Sequence, residues 1–159
     1  MPIDNYTRMI QLADEFFASK KDPAQLDIDE QIITQLKKIH PAAMGELTDD
    51  GGPVAWTIVI PTTHDIMQQF LEKKISEKNL FDLTLHQSQF GAVYLCSALV
   101  LPEYRRKGFA KQLLCSSVRT IQQTHLISEL FYWAFSTEGD TLAHAVASEL
   151  HLPLLQRTE

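Results

Sequence analysis

The run Arg105-Arg106-Lys107-Gly108-Phe109-Ala110 sets three cations at the start of an amphipathic helix. The helix macrodipole is positive at that end, so each such charge costs an empty helix about 0.3–1 kcal/mol. A bound anion reverses the sign. The first-turn N–H groups have no partner inside the helix and attract anions. Gly108 lets a ligand approach the backbone closely, and Ala110 is small enough to serve the same end. The residue types and spacing suit a phosphate or pyrophosphate. The plain alternative is a solvated basic helix start, which a protein tolerates because exposed charges matter little. The Gly and Ala spacing behind a buried strand favours the anion site.

Other phosphate loops are excluded by pattern. The chain has no GxxxxGK[ST] and no GxGxxG, so neither a Walker A loop nor a dinucleotide fingerprint is present. What remains is Arg-x-x-Gly-x-Ala between a long apolar strand, "GAVYLCSALVLP", and a helix with Phe109, Leu113, Leu114, Val118 and Ile121 inward.

The elements that must hold this loop follow from periodicity. Tyr6, Met9, Ile10, Ala13, Phe16 and Phe17 fall on one face of a helix over about residues 4–19. "KKDPAQ" ends it. A second helix points Ile28, Ile32, Ile33, Leu36 and Ile39 inward and stops at His40-Pro41. "AAMGELTDDGGPVAWTIVIP" reads as strand, tight turn at Asp49-Asp50-Gly51-Gly52, and strand. Residues 54–60 are apolar almost throughout, which predicts a strand covered on both faces. "TTHDIMQQFLEKKIS" predicts a helix capped by Thr62 or Thr63, with Ile66, Met67, Phe70 and Leu71 inward. "EKNLFDLTLHQSQ" is ambiguous. After the loop and its helix come an aromatic strand, "ELFYWAFS", a helix, "TEGDTLAHAVASEL", started by Thr137 and Glu138, and a short strand in "HLPLLQRTE". The strand–helix–strand part requires a parallel pair with a right-handed crossover.

In this setting Val100-Leu101-Pro102 followed by Arg105-x-x-Gly108-x-Ala110 resembles motif A of the GNAT superfamily of acyl-CoA-dependent N-acetyltransferases. The order of elements agrees over most of the chain, most strongly over residues 92–124. The resemblance implies a mixed α/β (α+β) fold. Its sheet is mostly antiparallel, with one parallel strand pair around the cofactor site and helices on both faces. It implies a single domain over residues 1–159 and acetyl-CoA as acyl donor, with no metal. The pyrophosphate would lie on the amides of Arg106, Lys107, Gly108, Phe109, Ala110 and Lys111, beside Arg105. Backbone groups of Leu99, Val100 and Leu101 would bond the pantetheine arm as an added strand would, and the parallel strand over residues 130–135 would splay away to admit it. The family's Asn near the start of the following helix is replaced by Asp140, so that contact is not carried over.

Acetyl transfer needs a base for the amine, a donor to the carbonyl and a donor to the leaving thiolate. The strand backbone near Val100 can polarise the carbonyl. The Tyr that usually protonates the thiolate falls at Ala147, so the catalytic acid and base are not legible. His144, Tyr94, Cys96, Tyr132, Trp133 and Glu46 are the candidates at hand. Packing or solvent exposure is the more frequent role for each of these types. Two pieces that commonly build the acceptor side, a first strand and a second terminal strand, have no counterpart, and the segment over residues 61–89 is an insertion placed to replace them in part.

Composition bounds the function. The formal net charge is −6, which argues against nucleic acid and anionic lipid as partners despite the cluster of Arg105, Arg106, Lys107, Lys111 and Arg119. Cys96 and Cys115 follow no metal or redox spacing and read as buried free thiols of a reducing compartment. The first residues lack a basic stretch before an apolar core, and no apolar run is long enough to span a bilayer. The expected place is the cytoplasm. The expected partner is a small-molecule or peptide amine, and the edge of the terminal strand offers a place for a second copy to pair. The leading function is N-acetyltransferase. The alternative is a non-catalytic module that binds acyl-CoA as a regulatory or partner subunit.

Overall fold

The computed structural model describes residues 4–19, 30–133 and 136–158. Its sheet holds five strands in the order β1-β2-β3-β4-β5. Helices α1 (Asn5–Ser19) and α2 (Glu30–Ile39) precede it. The Asp4 side chain accepts from the Thr7 amide at 2.8 Å and so starts α1. His40 and Pro41 stop α2, and Nδ1 of His40 accepts from the Ala42 amide at 3.0 Å to open a single 3₁₀ turn, Pro41–Ala43.

Strands β1 (Met44–Asp49) and β2 (Gly52–Thr62) form the expected hairpin. Asp49 accepts from the Gly51 amide at 2.8 Å, and Gly52 has φ +110°. An L side chain rarely adopts that angle, which is why the turn ends on glycine. Residues 53–55 and 57–62 of β2 are buried, so that strand is covered on both faces as its composition predicts.

Helix α3 (His64–Leu71) takes its cap from Thr63, whose Oγ1 accepts from the Ile66 amide at 3.1 Å. The ambiguous stretch resolves as a second helix, α4 (Glu77–Thr84). Ser76 and Asn79 satisfy each other's amides in a capping box, and Leu80, Phe81 and Thr84 turn inward at helical spacing.

β3 (Ala92–Val100) leads through a 3₁₀ turn, Pro102–Tyr104, into α5 (Phe109–Gln122). β4 (Glu129–Trp133), α6 (Thr137–Leu150) and β5 (Leu154–Arg157) complete the chain. Ala134 and Phe135, the expected end of the aromatic strand, and Ile28 of the second helix lie outside the described residues. Ser136, one residue before Thr137, caps α6 by accepting from the Gly139 amide at 3.0 Å.

The mixed α/β class holds, with one correction to the pairing. β1–β2 and β2–β3 are antiparallel, but β3–β4 and β4–β5 are both parallel, so the described sheet has two parallel pairs where one was expected. The helix between β4 and β5 returns the chain to the same end of the sheet, which makes the second pair parallel as well.

The core lies on both faces. Ile58, Ile60, Met67, Phe70, Leu80, Tyr94 and Phe131 pack on the face covered by α3 and α4. Val59, Val93, Leu114, Val118, Leu130 and Val146 pack on the face covered by α5 and α6. A smaller cluster of Met9, Val54, Leu99 and Leu101 lies under α1. Tyr6 and Ile10 differ from expectation: they are 58% and 40% exposed. Among the described side chains of α1 the covered strip runs through Met9 and Ala13, while Tyr6 lies edge-on to Trp56 with ring centroids 6.0 Å apart; the side chains of Phe16 and Phe17 lie outside those described.

Two irregularities shape the centre of the sheet. β3 and β4 pair only from Ala92 to Tyr94 and from Glu129 to Phe131, after which β3 runs on to Val100 and the strands part. β3 also carries a bulge: Ile58 pairs with Ser97 and Val59 with Leu95, leaving Cys96 as the extra residue. The bulge sits just beyond the point of parting. It lets Tyr94 and Cys96 face α3 and α4 while Leu99 and Leu101, at odd spacing from Cys96, face α1.

Candidate functional site

The fork between β3 and β4 opens toward the carboxyl ends of two parallel strands, each followed by a helix that begins there. Helix starts at the mouth of such a fork place positive dipole ends around it.

The two starts are not alike. α6 is capped by Ser136 and has Glu138 and Asp140 in its first turn. α5 has no side-chain cap, and its N-cap is Gly108 at φ +80°. A Cβ on Gly108 would meet nothing within 4 Å, so the glycine answers to the backbone angle and leaves open space beside the amides. Arg106 is also left-handed, at φ 64°. Left-handed residues interspersed in a turn can aim successive N–H groups to one side and make a concavity suited to an anion. The backbone of residues 105–108 therefore departs from regular geometry where the sequence places the anion.

The side chains around the loop are divided in their duties. Arg105, Arg106 and Lys107 are exposed. Arg105 donates from Nε to the Val100 carbonyl at 3.0 Å. Nζ of Lys107 stands 5.5 Å from the centre of the Tyr104 ring, and Tyr104 donates its hydroxyl to Asp49. Glu103, the acid nearest the loop, is turned away onto Arg8 at 2.6 Å, and that bond holds its carboxyl below the ordinary range. Phe109 and Ala110 are half-buried, and the Phe109 ring centre lies 6.3 Å from that of Tyr104. Lys111 points to α6, where Glu149 receives it at 3.2 Å and Arg119 at 3.3 Å. Two of the five basic residues that made up the possible nucleic-acid cluster are thus paired with one carboxylate.

The end of β3 is more specific than the sequence suggested. The Leu101 amide donates to the Val54 carbonyl at 2.9 Å, so that group is already used within the sheet. Trp56 is paired with Leu99 and Ala55 with Val100. Hydrogen-bonding directions alternate along an antiparallel strand, so Leu99 also turns its backbone to β2. Val100, and Ala98 two residues back, turn theirs to the fork. Of the expected trio Leu99, Val100 and Leu101, Val100 is the one whose polar backbone groups face the opening.

The candidate catalytic side chains scatter. Tyr132 is buried on the α6 side, with its hydroxyl 2.9 Å from Asp140 and 3.1 Å from Gln156. Burial first, then the Asp140 bond and charge, push its pKa up to about 12. His144 is exposed, its ring centre 6.3 Å from that of Tyr132. Ala147 is buried. Glu46 is exposed on β1 and accepts from the Trp56 indole at 2.6 Å. Trp133 is core, stacked on the Arg157 guanidinium at 4.4 Å. Cys115 is a buried free thiol, raised in pKa chiefly by burial, and Cys96 is half-buried and in no disulfide.

Sequence reasoning missed one group. Glu77, in the first turn of α4, is buried, and its Oε2 lies 2.5 Å from the Tyr94 hydroxyl and 3.9 Å from the Cys96 sulfur. Tyr94 is fully buried, and burial above all, then the charge of Glu77, drives its pKa well above the ordinary value. The inserted segment therefore reaches β3 where the strands part. It also meets the terminal strand, because Arg157 donates to the Ile75 carbonyl at 2.8 Å. Ser76-x-x-Asn79 was the available signal, since a capping box there puts residue 77 in a first turn.

No protein-family profile matches the chain, and no curated protein matches it in sequence. Solved structures do resemble it. One is Naa20 of Chaetomium thermophilum in complex with a bisubstrate analogue, at TM-score 0.50 and 12% identity, covering 89% of this chain and 64% of that one. This chain thus spans less than two thirds of that neighbour. Another is an aminoglycoside acetyltransferase, meta-AAC0020, from an uncultured soil metagenomic sample, in complex with sisomicin. It matches at TM-score 0.48 and 14% identity, covering 91% of this chain and 81% of that one. The sheet order, the parted parallel strands and the helix that starts between them are those of a GNAT acetyltransferase fold.

Proposed function

We propose that this chain is an N-acetyltransferase, a single domain over residues 1–159, that moves an acetyl group from acetyl-CoA to a primary amine of a small molecule or peptide. The observation that carries the reading is the α5 start: an N-terminus with no side-chain cap, opened by a left-handed glycine and ringed by exposed cations, at the mouth of a strand fork. The amides of residues 106–111 hold the pyrophosphate, with Arg105, Arg106 and Lys107 adding charge around it. The strand end over Leu99, Val100 and Leu101 receives the pantetheine arm, with Val100 supplying the polar contacts and Leu99 and Leu101 the apolar floor. An amide of β3 facing the fork polarises the thioester carbonyl. The amine attacks, the carbon–sulfur bond breaks, and the thiolate takes a proton from water, because Ala147 leaves no side-chain donor at the usual place.

That buried alanine is also what favours the second reading, a module that binds acyl-CoA without turning it over. One experiment separates the two. Thermal shift and calorimetry with acetyl-CoA are run on the wild type and on Gly108→Glu, followed by thiol release across a panel of peptides, polyamines and aminoglycosides. Binding that the substitution abolishes, with amine-dependent thiol release, is expected. Binding without release on any amine selects the module, and no binding removes both readings.

A further inference from the structure

The α3–α4 segment brings a buried acid to the fork, and the binding reading above has no use for it. Burying a carboxylate is costly unless hydrogen bonds and dipoles compensate. Here the Tyr94 hydroxyl at 2.5 Å, the Cys96 thiol at 3.9 Å and the first turn of α4 do so. Tyr94 and Cys96 of β3 are ionisable groups that face Glu77, and Arg157 of β5 is close enough to act on Tyr94 electrostatically. α3 and β4 contribute the aromatic rings of Phe70, Phe131 and Trp133. The carboxylate lies 3.9 Å from the sulfur of the bulge residue Cys96, and Ala98, which turns its backbone to the fork, is two strand positions further on.

Resting on the acetyltransferase reading, we propose that Glu77 accepts the proton which the acceptor ammonium must lose before it attacks the thioester. An amine that enters as ammonium gives one proton to Glu77 and becomes nucleophilic. The nitrogen–carbon bond then forms and the carbon–sulfur bond breaks. The second nitrogen-bound proton leaves as the intermediate collapses and balances the one taken up by the thiolate. Glu77 returns its proton to solvent. The base thus comes from the inserted α4, on the face opposite α5 and α6.

The test compares wild type, Glu77→Gln and Glu77→Asp, with acetyl-CoA as donor and the best amine of the panel as acceptor, across pH 6–10. Glutamine keeps the volume and can still accept from Tyr94. Glu77→Gln is expected to lower kcat/KM by about 10²-fold at neutral pH. The deficit should shrink as pH rises and the amine deprotonates on its own, acetyl-CoA binding should stay as in the wild type, and Glu77→Asp should recover part of the rate. A wild-type rate and pH profile in Glu77→Gln would overturn the proposal, as would a deficit that does not vary with pH and accompanies a lowered melting temperature, which marks a structural acid. A wild type that binds acetyl-CoA but acetylates no amine would overturn the transferase reading itself, and this proposal with it.

Discussion

At Gly108 the backbone angle and the open space beside it separate two effects that a substitution usually mixes. Alanine there meets no atom within 4 Å, so its cost is the left-handed angle alone, about 1–2 kcal/mol. Urea denaturation of Gly108→Ala should show that loss with an unchanged m-value, while α5 remains helical. His40 makes a different case. Its Nδ1 accepts from Ala42, a role open only to the neutral ring, and burial followed by the neighbouring His125 lowers its pKa from 6.5. The unfolded chain therefore binds a proton at His40 before the folded one does, and stability falls as pH drops from 6.5 through the lowered value. His40→Asn keeps an acceptor at that cap and does not titrate. Its urea midpoint should fall less than that of the wild type between pH 7.5 and 5.5. The loop residues were legible because glycine and clustered charge are local signals. Glu77 was not, because its partners Tyr94 and Cys96 are 17 and 19 residues away and only the folded sheet brings them together.

Among the elements, α4 depends most on its ends. With 8 residues it is too short to persist without packing and caps. Ser76→Ala removes the side-chain half of the capping box and is expected to cost about 1 kcal/mol, read as a lowered melting temperature. Amide exchange should quicken first in α4, ahead of α5. The same local logic explains which elements could be read in advance. The hairpin, α3, β3 and α5 follow from apolar period and turn residues, and each lies where those patterns put it. The direction of the β4–β5 pair did not follow, since strand direction depends on where α6 delivers the chain. The exposed side of α1 did not follow either: Tyr6 and Ile10 have the right period, but among the described side chains of α1 the covered strip runs through Met9 and Ala13.

On the scale of the molecule, the net charge of −6 and the cations of the loop oppose each other. Attraction for an anionic ligand is local, and salt should weaken it over the range where the screening length falls from about 30 Å at 0.01 M to about 8 Å at 0.15 M. Isothermal titration with acetyl-CoA across that range should show a rising Kd. Because β3 and α5 both belong to the central packing, occupancy should stabilise the fold as a unit. Ligand at about 100 times Kd adds about 2.7 kcal/mol, seen as one shifted transition rather than two. Among the described residues no helix is long and apolar enough to cross a membrane.

The Arg105 bond to the Val100 carbonyl makes the fork a seat already taken by the chain's own side chain. A ligand that pairs with Val100 enters by substitution, one hydrogen bond given up for one gained. The evicted guanidinium is then released beside the start of α5, where a phosphate would lie. Docking of the arm and clasping of the phosphate become two halves of one exchange, so a fragment carrying only one of them forgoes the other's share.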